Sequence, residues 1–286
     1  MTPSVPPHRN DIAANMITVI EPATGWPTLN LSDVWRYRDL LVLLIWRDIS
    51  ARYRQSVVGY GWAIIRPVLS MLIFTFVFSY VAKISTDGVP YALFAFTGLL
   101  PWLYFSGALS SCTTSVVSGG ALLRKVYFPK LILPLASVTG GLVELAIQLV
   151  VLAILIGIYR VSLGPQLLLA PVFILGAVLT ALAIGLWLTA LNVKYRDVGQ
   201  AVPFFVQAWM WLSPVVYPSS KVPEAYRSLF ALNPMVGVIE GFRWSVLNSA
   251  PPDWQMVGIS FSVVGALLVT GIMYFRKTEN TFADII

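Results

Sequence analysis

Residues 61–82 read GWAIIRPVLSMLIFTFVFSYVA, and this stretch decides what kind of protein the chain is. From Val68 onward it carries no charged side chain. A bilayer core about 30 Å thick needs roughly 20 mostly apolar residues per crossing helix. Arg66 and Pro67 set the start of the embedded part at Val68, with the Arg66 stem running along the helix and its guanidinium reaching the headgroups. The stretch therefore reads as a membrane span.

Working outward, five further apolar runs follow at 91–117, 131–159, 167–191, 201–217 and 254–275. The pattern predicts an all-α polytopic membrane protein with six transmembrane helices. Pro101 is expected to kink the second span, and the third is long enough to tilt. Composition excludes a soluble fold: 57% of residues are hydrophobic and 11% charged, against roughly a quarter charged in a soluble domain. The mean hydropathy is +0.77.

Two segments fit neither a span nor a free loop. Residues 34–56, VWRYRDLLVLLIWRDISARYRQS, hold an apolar centre, Leu40 to Trp46, bracketed by Arg36, Arg38, Arg47, Arg52 and Arg54. That centre is too short to cross, so the segment reads as an amphipathic helix lying on the membrane, with Asp48 and Arg52 placed for an i,i+4 pair. Residues 218–252 are punctuated by proline yet contain SLFALNPMVGVIEGFRWSVLN, which predicts two short re-entrant or interfacial helices between the fifth and sixth spans. Residues 1–33 form a cytoplasmic N-terminal tail in this reading, without an apolar core of signal-peptide length among the first thirty. The membrane body would occupy 34–286.

Six spans put both termini on one side. With that side cytoplasmic, 14 of the 19 Lys and Arg residues fall inside, as the positive-inside rule requires. The same rule accounts for the net charge of +6 without nucleic acid as a partner. A single cysteine, Cys112, and a single histidine, His8, leave no intramolecular disulfide and no His/Cys metal cluster. No G-x-x-x-x-G-K-[ST] loop occurs, so the chain by itself is not expected to bind and hydrolyse ATP in the usual P-loop way, and any primary energy must come from a partner. Without a histidine in the membrane part or a carboxylate pair on one helix face, a membrane enzyme is disfavoured. Glu144 is the one clear ionisable residue inside a span; it is either a carboxylate hydrogen-bonded within the bundle or a participant in transport.

The segment RYRQSVVGYGWAIIRPVLSMLIFTFVF, Arg52 to Phe78, resembles the N-terminal signature of type-2 ABC permeases that export polysaccharides. Three more segments agree with that family in order and spacing: LLRKVYFPKLILPLA at Leu122 to Ala136, LNVKYRDVGQ at Leu191 to Gln200, and LNPMVGVIEGFRW at Leu232 to Trp244. The tail before Val34 matches nothing specific, and Val57-Val58 stands where many relatives carry a bulkier pair. The resemblance implies the inner-membrane permease class of O-antigen, teichoic-acid and some capsule exporters. It also implies a homodimer working with two copies of a separately encoded cytoplasmic ATPase, which would bind the ATP and magnesium, so that this chain itself needs no cofactor. The cargo it implies is a polysaccharide on a lipid carrier of the undecaprenyl diphosphate kind.

On that resemblance, candidate roles can be set on particular residues. Arg47, Arg124, Lys125, Tyr127 and Phe128 are expected to contact the ATPase, the last four on a short segment bounded by Gly119, Gly120 and Pro129. Arg124 and Lys125 also hold their loop inside by charge alone. The loop Lys194 to Asp197 either pairs locally or meets the ATPase. Arg52, Arg54 and Arg66 are candidates for the lipid diphosphate, since guanidinium groups bind phosphate bidentately, though ordinary anionic lipids would attract them too. Phe74, Phe78, Tyr104, Phe105, Phe204, Trp209 and Trp211 are candidates for the channel lining, although interfacial and lipid-facing rings account for many aromatics equally well. Asn233, Glu240 and Arg243 are candidates for an external cap, where Glu240 and Arg243 also have the spacing to pair with each other. A permease for drugs or simple lipids would share the six-span plan, and a scaffold binding a glycosyltransferase would leave the docking loop without a purpose.

Overall fold

The computed structural model describes residues 31–53, 57–86, 88–279 and 281–282, and among them there is no strand. Most of the expected tail and Arg54 lie outside the described residues. The surface segment is made of two helices, α1 (Leu31–Arg36) and α2 (Arg38–Tyr53). In α2, Leu44 and Ile49 are buried while Val42, Leu43 and Trp46 stay exposed, Trp46 to 69%. The buried side packs on α6 (Ile132–Gly140), and the exposed apolar side is the face a bilayer would cover.

The expected Asp48–Arg52 pair does not form. Asp48 instead accepts from its neighbour Arg47 at 2.7 Å, and Arg52 reaches across to Glu144 at 2.8 Å. Both side chains of this pair are about a third exposed, so water screens the attraction in part.

Gly59, with φ +55°, turns the chain from the surface into the bundle through a conformation that favours glycine. A short 3-10 turn, Gly59–Gly61, leads into α3 (Trp62–Phe74). The helix then widens into a π-helical stretch, Thr75–Val81. There the Thr75 hydroxyl donates to the Met71 carbonyl at 2.7 Å, and the Ala82 amide bonds the Val77 carbonyl five residues back. A side-chain donor competing for the i−4 carbonyl loosens a helix at such a point.

Helix α4 (Tyr91–Ser118) is the core of the molecule: almost every side chain from Tyr91 to Phe105 is buried, and Pro101 is accommodated inside it. After the one-turn α5 (Gly120–Leu123) come α6, already defined, and α7 (Leu142–Tyr159). The run expected at 131–159 is met by one crossing stretch, Ile132–Tyr159, whose ladder is interrupted at Gly140-Gly141 between α6 and α7. Helix α8 (Ala170–Lys194) lies against α4. A Cβ on Gly185 would meet the Cys112 sulfur at 2.5 Å, so the small residue is what lets the two backbones approach. The Thr189 hydroxyl donates to the Cys112 carbonyl and the Asn192 amide to that of Thr113. Asn192 also accepts from the Gly199 amide at 2.7 Å, folding the chain back into α9 (Asp197–Trp211).

Among the described residues, five helical stretches are long and apolar enough to cross a membrane: Gly59–Val81, Tyr91–Ser118, Ile132–Tyr159, Pro165–Lys194 and Trp254–Glu279. The expected sixth, at 201–217, is met by the shorter α9, whose 15 residues extend about 22 Å at 1.5 Å per residue. It stops because Pro214 has no N–H to continue the ladder, and residues 212–217 fold into tight turns, including Val215 amide to Ser213 carbonyl at 2.7 Å. The two helices expected between the last spans are present as α10 (Glu224–Ala231) and α11 (Pro234–Leu247), followed by α12 (Trp254–Glu279).

Candidate functional site

Two ends of the bundle carry the polar side chains that matter. One, the basic end, gathers α2, the loop 119–131, the α8–α9 turn and the end of α12. The other gathers α10, α11 and the turn after α9.

At the basic end a cleft of about 270 Å³ opens between α2, α3, α4 and α7. Its walls hold Arg52, Trp62, Arg66, Tyr104, Glu144 and Gln148. Two of the three arginines predicted to meet a diphosphate therefore share one cavity. Arg52 bonds Glu144 at 2.8 Å and lies 3.5 Å from the Ser111 hydroxyl. Arg66 is exposed, with its guanidinium 5.7 Å from the centre of the Trp62 ring. Tyr104 is buried and donates to the Val138 carbonyl at 3.0 Å, fixing the α4 wall of the cleft against α6. Arg52 also borders a second, separate groove lined by Ser111, Thr114, Ser115, Ser118 and Ser137. Sequence reasoning missed Gln148, although it stands four residues after Glu144 and so on the same helix face.

The loop beyond α5 divides its residues sharply. Arg124, Lys125 and Tyr127 are exposed, Tyr127 to 71%, whereas Phe128 is 3% exposed. Phe128 belongs to an apolar cluster that includes Leu44, Leu131, Phe275 and Phe282. It therefore anchors the loop and offers no surface to a partner, which corrects its place among the contacting residues. Lys130 ties the same loop to the end of α12, its amide meeting the Glu279 carboxylate at 3.2 Å. Arg47 is half exposed and engaged with Asp48.

Of the aromatic candidates, Phe74, Phe78 and Trp211 come together, with centroid separations of 6.0 to 6.3 Å that link α3 and its π stretch to α9. Phe204 is 73% exposed beside Phe205. Phe105 has no exposed surface and takes an edge-on contact from Trp209 at 5.4 Å; it packs helices and lines nothing open. Tyr104 lines the cleft and packs against α6.

At the opposite end, Asn233 caps α11, accepting from the Met235 amide at 3.0 Å and donating to the Leu212 carbonyl and the Ser213 hydroxyl. The Arg243 side chain is 6% exposed and pairs with Glu240 at 3.1 Å. It also donates to the carbonyls of Pro214 and Val215, and lies 3.8 Å over the Phe94 ring. Gly98 makes room for it: a Cβ there would sit 2.5 Å from the guanidinium and 2.6 Å from the Val215 carbonyl. These side chains hold the turn after α9, α11 and α4 together.

Comparison with known proteins gives one consistent result. Residues 39–247 match the ABC-2 type transporter family. The chain is 31% identical over 256 residues to the O-antigen export system permease protein RfbA of Myxococcus xanthus, covering 89% of this chain and 98% of that protein. It is 29% identical over 252 residues to a protein of the same name from Klebsiella pneumoniae, covering 87% and 95%. It is 23% identical over 249 residues to the polysialic acid transport protein KpsM of Escherichia coli, covering 83% and 92%.

Proposed function

The chain belongs to the ABC-2 type transporter family, and from that premise we propose that it is the membrane subunit of an exporter that moves a lipid-linked polysaccharide out of the cell. The observation that carries the reading is the cleft at the basic end, where Arg52 and Arg66 line one cavity beside an exposed apolar helix. The names of the relatives, O-antigen and polysialic acid permeases, support a glycan cargo over a drug.

In this reading the basic end faces the cytoplasm, as the charge asymmetry favours, both termini are cytoplasmic, and the bilayer is the bacterial inner membrane. The diphosphate of an undecaprenyl-type carrier is taken up at Arg52 and Arg66. Two copies of the chain enclose the path, and the rings of Phe74, Phe78 and Trp211 offer sugars apolar faces that demand no single hydrogen-bond pattern. Helix α9, too short to cross alone, completes a sixth span with the residues that follow it. Energy comes from two ATPase subunits seated on α2 and on the exposed side of the loop around Arg124.

Deleting the gene tests the cargo. Lipid-linked glycan, measured by mass spectrometry, is expected to accumulate inside and vanish from the surface. Unchanged glycan in both places would sink the reading and favour export of drugs or simple lipids.

Changing Arg124 and Tyr127 together to alanine tests the docking loop. Both side chains are exposed and neither belongs to a buried cluster, so folding should survive. Two interface side chains together carry enough energy to weaken recovery of the ATPase in co-purification by about tenfold. Wild-type recovery would remove the loop from the interface.

A further inference from the structure

A second pocket, of about 280 Å³, lies at the end opposite the basic cleft, between the start of α4, the turn after α9, α10, α11 and the approach to α12. Among the described residues its charged lining is Arg227, Arg243, Glu240 and Asp253, and each of the four is only partly committed. Glu240 accepts from Arg243 at 3.1 Å and from the Ser219 amide at 3.4 Å, both on Oε1. Asp253 accepts from the Gln255 and Met256 amides, both on Oδ1, as the cap of α12. The second oxygen of each carboxylate is left open. Arg227 comes no nearer than 3.7 Å to Glu224, too long for a hydrogen bond. Arg243 is 5% exposed and its Nε–H has no hydrogen-bond partner, although buried donors are nearly always satisfied.

This lining narrows the chemistry of a ligand. Two cations and two anions cancel, so neither a phosphate nor a metal ion gains from net charge here. A sugar hydroxyl both donates and accepts, and the edge of a carboxylate or a guanidinium offers two positions to neighbouring hydroxyls. A pyranose ring also has an apolar face of C–H groups, and Val89, Pro252 and Met256 give the same pocket an apolar wall. The volume lies just below the range of drug-sized sites, which suits one sugar ring and is too small for a stretch of peptide.

Resting on the export reading, we propose that this pocket binds one neutral sugar residue of the glycan as it leaves the protein. In the orientation given above this end faces outward, so the pocket meets the chain after it has crossed. A site with affinity for the glycan on one side of the membrane biases the chain toward that side. The emerging polymer therefore slips back less readily between strokes of the ATPase.

The experiment uses the full-length permease, co-purified with its ATPase, in nanodiscs. Saturation-transfer NMR measures binding of the methyl glycosides of glucose, mannose, rhamnose and N-acetylglucosamine, with the methyl glycoside of glucuronic acid and glycerol as comparisons. At least one neutral glycoside is expected to bind, and more tightly than either comparison. Ser220→Tyr and Ala250→Tyr each put a ring into the pocket from an exposed position of its lining, so folding should survive. Each is expected to weaken binding by about tenfold or more. Glu240→Gln keeps the shape of the side chain and removes its charge, and is expected to weaken binding roughly fivefold, the scale of one hydrogen bond.

Equal binding by the wild type and both tyrosine variants would put the sugar elsewhere and overturn the pocket. Tighter binding of the glucuronic acid glycoside, or equal binding of glycerol, overturns the assignment to a neutral sugar ring. Absence of any bound glycoside, where deletion of the gene traps glycan inside the cell, overturns the pocket and leaves export standing. Glycan unchanged by the deletion sinks the export reading, and the retention role with it.

Discussion

Replacing Arg243 by methionine is expected to cost about 3–5 kcal/mol, the cost of breaking a buried ion pair by removing one partner. In a chain of this size that lowers the melting temperature by about 10 °C. Four contacts go at once: the ion pair with Glu240, the bonds to the carbonyls of Pro214 and Val215, and the seat over Phe94. Two carbonyls and a carboxylate are left without this donor in a place with little water, and methionine fills the volume without satisfying them. Glu240→Gln should cost far less, because the guanidinium keeps both carbonyls. Thermal unfolding of the detergent-solubilised protein, followed by size-exclusion fluorescence, checks the pair. If Arg243→Met melts with the wild type, the contacts do not hold this end together.

Phe128→Ala is the second large effect, at about 3–5 kcal/mol for emptying a buried aromatic site. The ring belongs to the cluster that joins α2, the start of α6 and the far end of α12, so its loss frees the loop that carries Arg124 and Tyr127. Melting temperature and ATPase recovery should therefore fall together. Tyr127→Ala, one residue away but exposed, should leave the melting temperature unchanged and lower recovery alone. Equal melting of both variants would show that Phe128 is not the anchor.

These adjacent residues illustrate how far the sequence is legible. VYFP offers two aromatic side chains of similar size, and nothing local says which one turns inward; that depends on where Leu44 and Phe275 arrive from distant segments. Phe105 is a parallel case. It reads as one aromatic among many in an apolar run, yet its burial follows from the approach of Trp209. The break at Gly140-Gly141 was hidden for a different reason: hydropathy continues across it, and only the backbone registers the missing Cβ atoms. The length of α9 was overestimated because apolar residues persist past Trp211, while Pro214 and the turn that follows end the helix sooner.

The candidate site shows the same division. Arg52 and Arg66 stand out as cations beside apolar runs, and the cleft brings them together. Glu144 was visible as a carboxylate inside an apolar run. The arginine it pairs with lies 92 positions away, while the nearer Asp48 is taken by Arg47.

What the sequence determined by itself is that the chain is helical and built for a membrane, where five of its crossing stretches lie, and which helix ends carry the basic residues. Run length and charge are properties of contiguous residues, and the bilayer reads them one segment at a time. The tertiary structure alone decided which charges meet, which rings are covered, and that Arg243 is a structural tie. Those outcomes depend on distances between helices, and the packing of small residues such as Gly98 and Gly185 against their neighbours sets those distances.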